Sequence, residues 1–217
     1  GLTLDFSFTL EGVSIHSMDE MVDFSNIPIA DLDALEATVT KMPNLTKVEM
    51  HHCGIDNETM DALNRRYENI DFIWSVYVAR MYLRTDREAF IPIKHNVWVT
   101  DADLVNLRYC TEMVCLDLGH HDITRCDFLA YMPKLKYLVL ADTPLADISP
   151  ITACKELIFL ELFLTKVTDY SPLLGCAALE DLNISYAIPG DISVLTQMTQ
   201  LEHLHMKGLW QEDWQWQ

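Results

Sequence analysis

Met113-Val-Cys-Leu-Asp-Leu118, Leu135-Lys-Tyr-Leu-Val-Leu140, Leu157-Ile-Phe-Leu-Glu-Leu162, Leu179-Glu-Asp-Leu-Asn-Ile184 and Leu201-Glu-His-Leu-His-Met206 are one phrase written five times, 22 residues apart, with no insertion or deletion. A fixed period of this length marks a chain of stacked supersecondary units, none of which can bury its apolar face alone. Within each phrase the leucines at positions one, four and six turn inward. The residues between them turn outward, because strand side chains alternate. Stacking the phrases side by side gives a parallel sheet with one face on a core of leucines and the other open.

Working outward, looser copies precede the regular ones. Val22-Asp-Phe24 reads as a strand and is followed by Ile29–Leu35, which parallels Leu145–Ile151. Leu45–Met50 and Ile70-Asp-Phe-Ile73 begin further copies, so repeats start near 19, 45, 70, 113, 135, 157, 179 and 201. The early return segments read as helices: Leu35, Val39 and Met42 share a face, as do Met60, Leu63 and Tyr67. Asp56 and Thr100 stand at capping positions, with Asp103 three residues after Thr100. The later returns have room only for tight 3-10 turns, entered through Ser149-Pro150 and Ser171-Pro172, with Asp147, Asp169 and Asp191 bonding the turn backbone.

Two segments stand apart from the repeats. Residues 2–15 alternate around Glu11-Gly12 and predict a hairpin, so residues 1–18 are expected to cap the first core layer. Residues 76–96 hold the basic Arg80, Arg84, Arg87 and Lys94 and predict a hairpin inserted at the rim of the sheet, either as a functional excursion or as a cover over core. The repeat domain is then 19–217, with an incomplete last repeat. Beyond Met206, either Trp210, Trp214 and Trp216 cover the open end or the chain is a piece of a longer protein. The start at Gly1 likewise predicts a processed piece that has lost any leader.

Composition narrows the function. Half the 217 residues are hydrophobic, and the net charge is −18. Phosphate backbones and anionic membrane surfaces are repelled by such a chain, and no apolar run reaches the ~18–20 residues of a membrane span. Nucleic acid and membrane insertion are therefore set aside. The six cysteines are expected as free thiols, since Cys110, Cys154 and Cys176 share a column with Met42, Met132 and Met198, Cys126 shares one with Ile148 and Tyr170, Cys53 sits at a turn, and only Cys115 faces outward.

The outward ladders carry the candidate site. They place Phe72, Trp74, Tyr137, Phe159, Phe163, Leu164 and Tyr186 on the open face, rimmed by Asp117, Asp142, Glu161 and Asp181. Aromatic side chains on a face the core does not need, bordered by carboxylates, compose a binding surface. His203 and His205 could be drawn as metal ligands, but a structural zinc wants four. Cys115, Asp117 and His120 could be drawn as a nucleophile set, but outward neighbours along a strand stand ~7 Å apart. No glycine loop, HExxH or GxSxG accompanies them. The expectation is a non-enzymatic chain without catalytic residues, metal or cofactor.

With its Val-Thr-Asp-Tyr-Ser-Pro-Leu tail, residues 167–173, the 22-residue phrase resembles the internalin-type leucine-rich repeats of bacterial surface proteins, well over residues 113–206 and more loosely over 19–112. The resemblance implies an α/β right-handed solenoid with a concave parallel sheet. Its convex side would be helices in the N-terminal repeats and 3-10 turns later. It also implies a protein-recognition role through Asp117, Tyr137, Phe159, Glu161, Phe163, Asp181 and Tyr186, in a secreted or cell-surface protein, with a cytoplasmic regulatory scaffold as the alternative. A glycan-binding module and a structural spacer are the other readings. The departures are Cys53, His121, Thr143, Thr165 and Ala187 where the family carries asparagine; of these Ala187 cannot bond backbone, and His121 is expected to.

Overall fold

The computed structural model describes residues 5–188 and 190–209. The expected covering role of Trp210, Trp214 and Trp216 lies outside them. Two compact units are present: one is the chain up to Val76 with Leu83–Thr85, the other Tyr77–Tyr82 with the chain from Asp86 onward.

The first unit opens with an antiparallel hairpin of β1 (Ser7–Leu10) and β2 (Val13–His16). Its two turn residues, Glu11 and Gly12, both have positive φ, 48° and 82°. That is the turn whose twist matches a two-residue hairpin. Glu11 also accepts a hydrogen bond from the Ala30 amide at 3.1 Å, tying the hairpin to the first repeat. The parallel strands β3 (Met21–Asp23), β4 (Lys47–Glu49) and β5 (Asp71–Ile73) follow, joined by helices α1 (Leu32–Val39) and α2 (Asn57–Arg66). The second helix starts at its expected cap, Asp56, which accepts from the Thr59 amide, and the first is capped by Asp31, which accepts from the Ala34 amide. Their expected inner faces are buried at Leu35, Val39, Met42, Met60 and Leu63.

The third strand overturns one expectation. Lys47 pairs with Asp71 and Val48 with Phe72, one residue out of the expected alignment. Phe72 therefore joins Val22 and Val48 in the core, 0% exposed, and Trp74 is 4% exposed with its indole N–H donated to Asn57 at 3.0 Å. Neither is on the open face. A one-residue slip exchanges the faces of a strand, because the side-chain period is two.

β6 (Ser75–Val78) and β7 (Met81–Arg84) form a hairpin, its turn again made by two positive-φ residues, Ala79 and Arg80. It is shorter than the stretch 76–96 expected from sequence. Ala89–Phe90 (β8) instead enters the parallel sheet, pairing with Cys115 and Leu116.

In the second unit that sheet continues through β9 (Cys115–Asp117), β10 (Tyr137–Val139), β11 (Phe159–Glu161), β12 (Asp181–Asn183) and β13 (His203–His205), all parallel neighbours in chain order. Leu116, Leu138, Leu160, Leu182 and Leu204 stand in register across it. The first four are fully buried, as are Met113, Leu135, Leu157 and Leu179 above them. The returns are 3-10 turns at Val105–Tyr109, Asp127–Tyr131, Ser149–Ala153, Ser171–Gly175 and Ser193–Gln197. Thr100 and Asp103 do make their reciprocal capping bonds, but they open a 3-10 turn, Asp101–Asp103, rather than an α-helix. The repeated aspartates anchor the later turns: Asp147, Asp169 and Asp191 accept from the amides of Ser149, Ser171 and Ser193 at 2.8 to 2.9 Å. The aspartates thus bond the turn backbone as their sequence position predicts. Hydrogen bonds from the hydroxyls of Ser149, Ser171 and Ser193, and then from their amides, hold the three carboxyls below their usual range.

The cysteines are free thiols, and five of the six are buried. Burial pushes Cys110, Cys126 and Cys154 up to about 12 and Cys176 to about 11. In a native titration with an aromatic disulfide reagent, Cys115 alone is expected to react before unfolding. Leu160→Ala, at the centre of the leucine ladder, is expected to lower stability in urea by about 2–5 kcal/mol; a loss under about 1 kcal/mol would contradict the packing described.

Candidate functional site

Parallel pairing fixes which outward residues meet. One ladder of the six-stranded sheet reads Ala89, Cys115, Tyr137, Phe159, Asp181, His203, and the next reads Asp117, Val139, Glu161, Asn183, His205. From Cys115 onward this is the expected alignment. Tyr137 is 47% exposed, and Phe159, Glu161, Asp117 and Asp181 are half-buried.

The strands end in a repeated backbone feature. His120, Asp142, Leu164 and Tyr186, 22 residues apart, all lie at positive φ between 52° and 62°. For side chains with a Cβ that conformation costs roughly 1 kcal/mol or more each. It is held because the amide of each donates to the next repeat, to the carbonyls of Ala141, Phe163, Ser185 and Lys207 at 2.6 to 3.1 Å. The bend delivers Leu164 and Tyr186 to the surface, 45% and 40% exposed. Tyr186 meets Phe163 edge to face, ring centroids 5.5 Å apart. Beside this pair lies an open cavity of about 390 Å³ lined by Phe163, Asn183, Tyr186, Leu204, His205 and Lys207.

Polar contacts organise the face. Asn183 donates to Glu161 at 3.1 Å and accepts from the Ser185 amide, and Asp117 accepts from the Gly119 amide. Asp181 is different: its Oδ1 is buried with no hydrogen-bond partner among the described residues. His120 pairs with Asp142 at 3.0 Å, not with Cys115. Burial, with the charge of Asp117, pushes the Cys115 thiol up, which is the reverse of nucleophile activation. Among the described residues no group of three His, Cys, Asp or Glu is placed to hold a metal ion.

A second polar group, in the first unit, was not foreseen as a cluster. The Glu49 carboxylate, only 12% exposed, takes Lys47 at 2.9 Å, Arg84 at 3.1 Å and His51 Nε2 at 2.7 Å. His51 Nδ1 lies 2.9 Å from Ser75 Oγ, and its Nε2 2.8 Å from the Arg84 guanidinium. That nitrogen donates to the carboxylate when protonated and accepts from Arg84 otherwise. Arg84 arrives on β7, 35 residues from Glu49, so neither strand alone announces the pairing.

These features define a leucine-rich-repeat solenoid of mixed α/β type whose open sheet face is the candidate site. Comparison with solved structures places it among internalin-type folds. Internalin InlF of Listeria monocytogenes matches 85% of this chain and 53% of its own, with 18% identity and a TM-score of 0.51. Internalin C2 of the same organism matches 50% of this chain and 47% of its own, with 29% identity and a TM-score of 0.47. The fold likeness rests on the first of these. The matched region is about half the length of either structure. No protein-family model and no curated protein sequence matches the chain. No helix among the described residues is long and apolar enough to cross a membrane.

Glu49 generates a pH prediction. Burial alone would push its carboxyl up, but the hydrogen bonds from Lys47, Arg84 and His51 outweigh burial and hold it at about 2. A carboxyl so lowered stabilises the fold fully above its ordinary value near 4.3, and less as pH falls toward about 2. Glu49→Gln is therefore expected to flatten the fall in melting temperature between about pH 5 and pH 2.5 relative to the parent; parallel curves would refute it.

Proposed function

We propose that the open face of the six-stranded sheet is a non-catalytic protein-recognition surface formed by Tyr137, Phe159, Phe163, Leu164 and Tyr186 with Asp117, Glu161 and Asp181. The observation that carries this reading is the Phe163–Tyr186 ring pair with the exposed Leu164. All three stand outside a leucine core already complete without them, and two of them sit on backbone held in a costly conformation. Apolar rings ringed by carboxylates fit a partner surface of mixed apolar and basic side chains.

The internalin-type fold supports a bacterial secreted or cell-surface setting for this recognition. A glycan is the second reading, favoured by the ring pair standing beside Asn183 and His205 around the open cavity.

The double substitution Phe159→Ala with Phe163→Ala tests the surface. The expected outcome is an unchanged urea midpoint with at least a tenfold loss of partner capture in pull-down. Unfolding of the double variant would instead assign both rings to the core, and retained capture would move the interface elsewhere. A glycan array probed with the parent protein separates the two partner classes.

A further inference from the structure

One position of the repeat is occupied by His121, Thr143, Thr165 and Ala187 in successive copies. Thr143 and Thr165 donate their hydroxyls to the carbonyls of Leu140 and Leu162, each at 2.8 Å. Ala187 has no side-chain polar group to satisfy. His121 breaks the pattern. It is 3% exposed, and neither ring nitrogen has a hydrogen-bond partner among the described residues. The sequence-based expectation that it bonds backbone is therefore not met. The ring instead lies against the Trp98 indole, centroids 5.3 Å apart and planes at 80°. Trp98 is itself 63% exposed, so it is a cover rather than core.

The cover is held from both sides. The Val97 amide donates to the Pro92 carbonyl at 3.3 Å. Thr100 bridges to Asp122, and Asp101 accepts from the amides of Thr124 and Arg125. Between these tethers Trp98 can lift without dismantling the sheet. Two charged or titratable groups act on His121: Asp117 on its own repeat's strand, which favours a positive ring, and the adjacent His120, which opposes it and is paired with Asp142. The preceding repeat presents the uncharged indole, and the following repeat has the uncharged Thr143 at the equivalent position.

We propose that His121 and Trp98 form an acid-sensitive latch, in which protonation of His121 drives the ring from beneath the indole and lifts the Trp98 side chain between its tethers. A neutral imidazole leaves one N–H donor and one acceptor nitrogen unmet there. An imidazolium carries two N–H donors and a charge into a place without acceptors, and it must move toward water and Asp117. Burial lowers the proton affinity of His121 from its ordinary value. The unfolded chain, titrating near 6.5, then takes up the proton first, so stability is complete above about pH 7 and falls as pH drops below about 6.5.

The test combines a proton NMR titration of the histidines with urea unfolding at about pH 7.5 and 5.5. His121→Thr restores the side chain of the neighbouring repeats. Expected are a His121 titration below about 6.5 with the Trp98 resonances shifting in step, and a parent urea midpoint lower at the acid pH. His121→Thr is expected to lose at least half of that difference, and Trp98→Ala to return His121 toward its ordinary titration. Should His121 titrate at or above its ordinary value in the parent, or should His121→Thr keep the whole difference, the latch is overturned.

Discussion

A leucine-rich strand of three residues has no core of its own, so the parallel ladder between successive strands is the constraint from which the rest follows. Each strand's amides pair with carbonyls of its neighbours, as Leu118 does with Val139 and Leu140 with Glu161. In that register the side chain at the middle of each strand lands on its equivalent, Leu116 on Leu138 on Leu160 on Leu182. Fully burying such a side chain is worth about 1.5–3 kcal/mol, and it is realised only when both neighbours are present. The same ladder holds the four left-handed residues after the strands, since the amide of each is anchored on the next repeat. Stability and surface presentation therefore have one source.

Return length decides how strictly the ladder is kept. Where the strands stand 22 residues apart, the return is a 3-10 turn and aspartates fasten its start. In the first unit helices fill longer returns, with Lys47 and Asp71 paired across 24 residues. A period that varies leaves register to be settled by packing. Phe72 illustrates the result: placed in the ladder of Val48 it fills the core, while Asp71 takes the outward place. The same freedom admits the β6–β7 hairpin, which brings Arg84 to Glu49 and whose Tyr77 carbonyl accepts from the Asn106 side chain at 2.9 Å.

Against this frame the departures from the repeat phrase carry the chemistry. Carboxylates and rings occupy outward places where any polar residue would serve the fold. Histidine occupies an inward turn position where its neighbours use threonine hydroxyls to satisfy a carbonyl. The first set bears on what the face can bind, and the second on the conditions under which one repeat stays closed.

Residue order alone determined the architecture from Met113 onward, because five phrases at one spacing admit one register, and it determined the inward and outward sets there, including Tyr137, Phe159, Asp181 and the buried columns of Cys110, Cys154 and Cys176. It also determined the start of the second helix through Asp56, since capping is local. Tertiary structure alone decided the burial of Phe72 and Trp74, the entry of Ala89–Phe90 into the sheet, the convergence of Lys47, His51 and Arg84 on Glu49, and the enclosure of His121 under Trp98. These depend on contacts between residues far apart in the chain or on a register that an irregular period leaves open, and no local pattern encodes either.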